Sequence, residues 1–158
     1  AVDGRRWWCD SRGCWLMDFP TPIPFVEALG FSLIDMDAGT SRITFEPRPE
    51  HLNSFHVTHG GASMTLLDVT MAHAARSLAV HMGVVTIEMK TSFMQPAKGP
   101  LTADGKVLHR TATLAFTEGT IRDASGRICA HATGTFKYLP RLANGDRTIN
   151  TLGGTPTP

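Results

Sequence analysis

Residues 56–68 read HVTHGGASMTLLD, which gathers two histidines, two glycines and one aspartate into a short stretch. Three readings of it are open. His56 and His59 form a His-x-x-His pair that could hold zinc if a third ligand, such as Asp68, His51 or His73, converged on it by folding. Gly60 and Gly61, opening a helix, would expose its unpaired N–H groups with no side chain in the way, so that they and the helix dipole could hold an oxyanion. Or the glycines only set the geometry with which an ordinary helix starts. Asp68 bears on the choice. On a helix its neighbours three and four places away are Met64, Thr65, Met71 and Ala72, none of which can form a salt bridge with it. A carboxylate on such an apolar face costs free energy, and burial should raise its pKa. It is either hydrogen-bonded to a neighbouring loop or it works as a general base or nucleophile.

The elements that must position these residues follow from periodicity. Residues 62–81 carry Ala, Leu and Met throughout with no Pro or Gly, and predict one long helix. Ser63, Thr70, Ser77 and His81 fall in one stripe with His73 beside it, and Asp68 lies nearly opposite. The apolar residues occupy more than one face, so this helix should be buried on several sides, as if a curved sheet wrapped it. Upstream, TPIPFVEALG predicts a short helix stopped by Gly30, FSLIDMDAGTSRITFEP a hairpin, and HLNSFHVTHGG a loop. Downstream, VVTIEMKTSFMQP, LTADGKVLHR, TATLAFTEGTIRD and RICAHATGTFKYL read as strands, the last pair joined through DASGR. One long helix and about six consecutive strands give an α+β antiparallel sheet with the helix on one face.

Composition narrows the partners. The chain has 158 residues, 42% hydrophobic and 18% charged, with a formal net charge of +1, which fits one globular domain and argues against nucleic acid. Residues 1–18 mix Trp, Arg, Gly and Cys without period and read as a poorly ordered extension, 140–158 as a polar tail, and 19–139 as the folded domain. Three cysteines, an odd number, suggest a reducing compartment. Cys9 and Cys14 could pair or bind metal, but no second Cys/His pair with finger-like spacing follows. The start has no uninterrupted apolar stretch of about 7 to 15 residues, and Asp68, His73 and Arg76 interrupt the long helix. We therefore expect a cytoplasmic protein with neither leader nor membrane span.

The pattern N-x5-HGG-x6-D, formed by Asn53, His59, Gly60, Gly61 and Asp68, resembles the hotdog-fold acyl-CoA thioesterases of the phenylacetate-pathway and thioesterase superfamily member 2 type. The resemblance covers about residues 25–139. It implies a curved antiparallel sheet around one central helix, and hydrolysis of a medium-chain or aromatic acyl-CoA with no cofactor and no metal. It also implies a homodimer as the active unit, doubled into a homotetramer. By the same resemblance Asp68 is the catalytic carboxylate and the Gly60 N–H polarises the thioester carbonyl. Asn53 assists carbonyl or water positioning, His59 supports that loop, and Thr86 holds the attacking water. Phe93, Met94, Gln95, Pro96, Ala97 and Lys98, with Gly61, would contact substrate. So would His109, Arg110, Thr111, Ala112, Thr113 and Leu114, with Lys98, Arg110 and Lys137 facing the phosphates of coenzyme A. No Gly-x-Ser-x-Gly elbow is present, which disfavours a Ser/His/Asp hydrolase. A protein that binds acyl-CoA or an acyl carrier without hydrolysis is the alternative.

Overall fold

The computed structural model describes residues 15–140 together with the two-residue strand β1 (Trp8–Cys9). β1 pairs with β2 (Trp15–Leu16), and Met17 bridges to Leu33 of the main sheet. The other residues of 1–14, where the sequence suggested poor order, the 141–158 tail and any Cys9–Cys14 pairing lie outside the described residues.

Helix α1 (Pro24–Leu29) opens with proline at its first position and stops at Gly30, whose φ of 77° is the left-handed cap geometry. The hairpin of β3 (Phe31–Asp37) and β4 (Thr40–Phe45) turns through Ala38 and Gly39. After α2 (Gly60–Ser77) come β5 (Met82–Phe93), β6 (Leu101–Arg110), β7 (Leu114–Asp123) and β8 (Ile128–Pro140). The main sheet is antiparallel in the order β3-β4-β6-β7-β8-β5, so that β5 crosses over to form one edge.

The curved sheet wraps α2, which touches all six strands. Leu66, Leu67, Met71 and Ala75 are fully buried in one cluster with Leu33, Ile43, Phe45, Ile121 and Phe136. Close approach of the helix depends on notches in the inner face. A Cβ on Gly105 would lie 3.0 Å from both the Thr70 carbonyl and its methyl, and one on Gly119 would lie 3.1 Å from Met71 Cγ. Two polar contacts tie the stripe's helix to the sheet: Ser41 donates to the Thr70 carbonyl at 2.6 Å, and the Gly39 N–H to Ser77 Oγ at 2.8 Å, while the Thr70 hydroxyl donates back to the Leu66 carbonyl.

The long helix differs from its expected bounds of 62–81 at both ends. It begins two residues earlier because His59 caps it, and stops at Ser77, where Leu78 and Ala79 tighten onto the Ala75 and Arg76 carbonyls. His81 therefore lies outside the helix and its stripe. No helix among the described residues is long and apolar enough to cross a membrane.

Candidate active site

The start of α2 is built by its own sequence. The His59 Nδ1 accepts the Gly61 N–H at 2.9 Å, and the His59 carbonyl accepts from Ser63 at 3.1 Å. Gly61, expected to contact substrate, thus has its amide occupied by the cap. The Gly60 N–H donates to no described group. Ahead of it, Asn53 Oδ1 accepts from the Phe55 and Val57 amides at 2.9 and 3.3 Å, which ties the loop down while His56 turns it at a φ of 55°. The Asn53 side-chain amide keeps its donors free. Asn53 and Gly60 line a cleft of about 330 Å³ together with Phe93, Met94, Gln95, Pro96 and Ala97. Lys98 is exposed beside it.

Asp68 stands eight residues along α2, about 12 Å at 1.5 Å per residue, and lines a different cleft. Thr86 Oγ1 donates to Asp68 Oδ1 at 2.7 Å. The aim of Thr86 comes from a bulge in β5: Thr86 pairs with the inward Phe136 and Glu88 with the outward Thr135, which leaves Ile87 as the extra residue. Without the bulge Glu88 would share Thr86's face and point at the helix. Burial pushes the Asp68 carboxyl above the usual carboxylate range, and the Thr86 hydrogen bond opposes that rise. Oδ2 has no described partner. The cleft, of about 610 Å³, runs along two adjacent rows of α2, Met64–Asp68–Ala72 and Thr65–Val69–His73. Its other wall is Ile23, Phe25, Val26, Val84, Val85, Thr86 and Met89.

The segment from His109 to Leu114 lies elsewhere. Arg110 donates to the Leu78 carbonyl at 2.8 Å and sits 4.9 Å over the Tyr138 ring, so in this chain it caps the far end of α2. His109 stacks near Phe116 at 6.1 Å, Thr111 Oγ1 accepts from the Thr113 and Leu114 amides, and Ala112 completes that turn. Lys137, opposite Leu114 on β8, is exposed. Leu78 is 18 residues from Gly60, about 27 Å along the helix, so a single chain does not bring residues 109–114 to the Gly60 cleft.

The histidines do not converge, and no group of three His, Cys, Asp or Glu side chains that could hold a metal occurs among the described residues. His51 Nδ1 accepts from the Arg48 amide, His59 Nδ1 serves the helix cap, and His73 Nδ1 bonds the Val69 carbonyl. The outer sheet face carries another depression of about 540 Å³, but its Arg42–Asp104 and Lys106–Glu118 pairs, at 2.6 and 2.7 Å, satisfy one another. Sequence reasoning gave no place in a cleft to Thr58 and Cys129, which line the Gly60 cleft, or to His73, considered only as a metal ligand, which lines the Asp68 cleft. The row Thr65–Val69–His73 at four-residue spacing was a signal for the last; Thr58 and Cys129 reach their cleft by tertiary folding alone.

This architecture has known counterparts. The profile of the thioesterase superfamily matches residues 55–130. A Saccharolobus solfataricus protein with a provisional esterase name is 33% identical over 112 residues, 70% of this chain and 80% of its own. A conserved protein of Pseudomonas aeruginosa superposes with a TM-score of 0.72 at 25% identity, covering 76% of this chain and 97% of its own. The Escherichia coli PaaI protein, from the phenylacetic acid degradation operon, superposes at 0.69 with 25% identity over 73% and 83% of the two chains. A curved six-stranded antiparallel sheet around one long helix is the hotdog fold, and the chain belongs to the thioesterase superfamily.

Proposed function

We propose that the protein hydrolyses an acyl-CoA thioester carrying a medium-chain or aromatic acyl group. The observation that carries this reading is the Thr86–Asp68 hydrogen bond at the wall of an apolar cleft. A carboxylate held by one oxygen keeps the other for a water, or for direct attack, and burial raises its basicity. In the water route Asp68 takes a proton as the water oxygen bonds the carbonyl carbon. The carbon–sulfur bond then breaks, and the proton passes to the departing thiolate, giving free acid and CoA thiol. A thiol of pKa near 8.5 leaves without strong acid assistance. The Gly60 N–H, at the positive end of α2, would meet the carbonyl oxygen as it gains charge.

Both groups must act within about 3 to 3.5 Å of one thioester, yet they stand about 12 Å apart along one helix. A two-fold pairing of chains with antiparallel helices would bring Asp68 of one to Gly60 of the other and make two equal sites. It would also carry the 109–114 turn of one chain toward the Phe93–Lys98 segment of its partner. The β5 edge supports such pairing: it is twelve residues long, unpaired on one side among the described residues, and carries Ile87 and Phe93, each 56% exposed. Doubling of that dimer into a tetramer rests on family resemblance. Likeness to a protein of a phenylacetic acid degradation operon supports the aromatic arm of the substrate range.

The test is release of CoA thiol, read with a thiol reagent, across straight-chain, benzoyl and phenylacetyl thioesters. We expect a kcat/KM of about 10⁴ M⁻¹s⁻¹ or more for at least one. Binding without turnover across the panel would overturn the reading.

A further inference from the structure

Ser63 lies on α2 three residues beyond Gly60, about 4.5 Å along the axis, and residues so spaced share a helix face. It is buried, with 2% of its surface exposed, and lines the Gly60 cleft. Its hydroxyl is the exception on this helix. Thr65, Thr70 and Ser77 each donate to a carbonyl three or four residues back, the ordinary use of a hydroxyl in a helix. Ser63 Oγ makes no hydrogen bond among the described residues. Nor is it sealed off. Thr58 Oγ1, in the same wall, is unpartnered and fully enclosed, whereas Ser63 Oγ keeps accessible surface, and the opening beside it is the Gly60 cleft. Side chains on a helix lean toward its N-terminus, so this hydroxyl is carried toward the Gly60 end. The Asn53 side chain opens on the same cleft. Between these polar points the wall is apolar, through Val57, Phe93, Met94, Pro96 and Ala130.

We infer that Ser63 is a substrate-binding residue whose hydroxyl hydrogen-bonds the first amide of the pantetheine arm, the one two methylenes from the thioester sulfur. The inference rests on the acyl-CoA reading of the Gly60 N–H and deepens it, by naming the residue that recognises the thiol half of the substrate. A carbonyl held at Gly60 sends the acyl group toward the Asp68 cleft and leaves the thiol arm in the Gly60 cleft. A sulfur and two methylenes span a distance comparable to the rise from Gly60 to Ser63, so the amide arrives beside the hydroxyl. A hydroxyl both donates and accepts, and a secondary amide offers both an N–H and a carbonyl, so the two groups are complementary. An all-carbon arm would cover the Ser63 hydroxyl and leave it without a partner, which is costly. Selection thus falls on thioesters whose thiol carries an amide at this spacing.

The test compares kcat/KM for the hexanoyl thioesters of CoA, of N-acetylcysteamine, which keeps this amide, and of pentanethiol, which replaces it with methylenes. The two small thiols differ in leaving ability, so the quantity read is the change in their ratio on Ser63→Ala. Alanine is the best helix former and breaks no hydrogen bond at this position, so the variant should fold and keep its Tm. In it the N-acetylcysteamine-to-pentanethiol ratio should fall about tenfold, and kcat/KM for hexanoyl-CoA by a similar factor. A ratio or a hexanoyl-CoA value unmoved by the substitution would overturn the inference while leaving hydrolysis intact. If the intact protein turns over the CoA thioester alone, the hexanoyl-CoA comparison decides. No turnover of any of the three by the intact protein would overturn the thioesterase reading and this inference with it.

Discussion

Gly60→Pro removes one atom group from the proposed site and little else. Gly60 is the first residue of α2, where proline is favoured because its missing N–H would have no helical partner. The residue before a proline must be extended, and His59 already has φ −58° and ψ 139°. A Cβ at this position meets the Phe93 ring at 3.4 Å, an ordinary contact. The helix should therefore form as before, with a stability change below about 1 kcal/mol. Loss of one preorganised donor to a developing oxyanion costs about 2.7–4 kcal/mol, or about 10² to 10³ in kcat. Gly60→Ala is the matched control, since it adds the same Cβ and keeps the N–H. Steady-state kinetics on one acyl-CoA, with thermal melts of both variants, read the difference. A proline variant as active as the alanine variant would refute the role given to this amide.

Asp68→Asn should lower kcat by about 10² to 10⁴ with binding largely kept, as kinetics and calorimetric titration would show. It should also raise Tm at pH 7. Because burial lifts the Asp68 pKa above its unfolded value, the residue's stabilising contribution exists at acid pH and is lost as the pH rises through the folded pKa. The gain from asparagine should thus vanish in melts run below the carboxylate range; a lower Tm at pH 7 would contradict the burial cost. Thr86→Val removes the donor to Asp68 Oδ1, which should reduce kcat about 10- to 100-fold and move the acid limb of the pH–rate profile upward, since that bond lowers the Asp68 pKa. An unchanged kcat would return Thr86 to a plain strand position. Gly119→Val should destabilise by about 1–3 kcal/mol in denaturant melts, because even its first carbon meets Met71 and Leu67 at 3.1 and 3.2 Å.

The legible parts of this protein were those with local causes. Gly30 stops α1, Gly39 turns the first hairpin, and the many-sided apolar character of α2 announced a sheet wrapped around it. Asp68 stood out because no neighbour on its own helix could pair with it, and its actual partner came from a strand 18 residues away. What stayed hidden depends on register and on tertiary contact. The bulge at Ile87 that aims Thr86 is a property of the β5–β8 pairing, invisible in the β5 sequence. Arg110 reads as a surface cation until the fold sets it against the Leu78 carbonyl and the Tyr138 ring. The ends of α2 escaped propensity for a similar reason: a histidine ring capped the start, and the turn into β5 fixed the stop.

The central claim is that one thioester meets Asp68 of one chain, as base or nucleophile, while Gly60 of another holds its carbonyl. Subunit mixing of Asp68→Ala with Gly60→Pro tests it most directly. Each parent should be nearly inactive, whereas a mixed dimer would carry one site with both lesions and one with neither. After equimolar co-refolding, random pairing gives half mixed dimers with half their sites intact, so about a quarter of the unmodified activity should return. Mixed dimers verified by mass that remain as inactive as their parents would contradict the account.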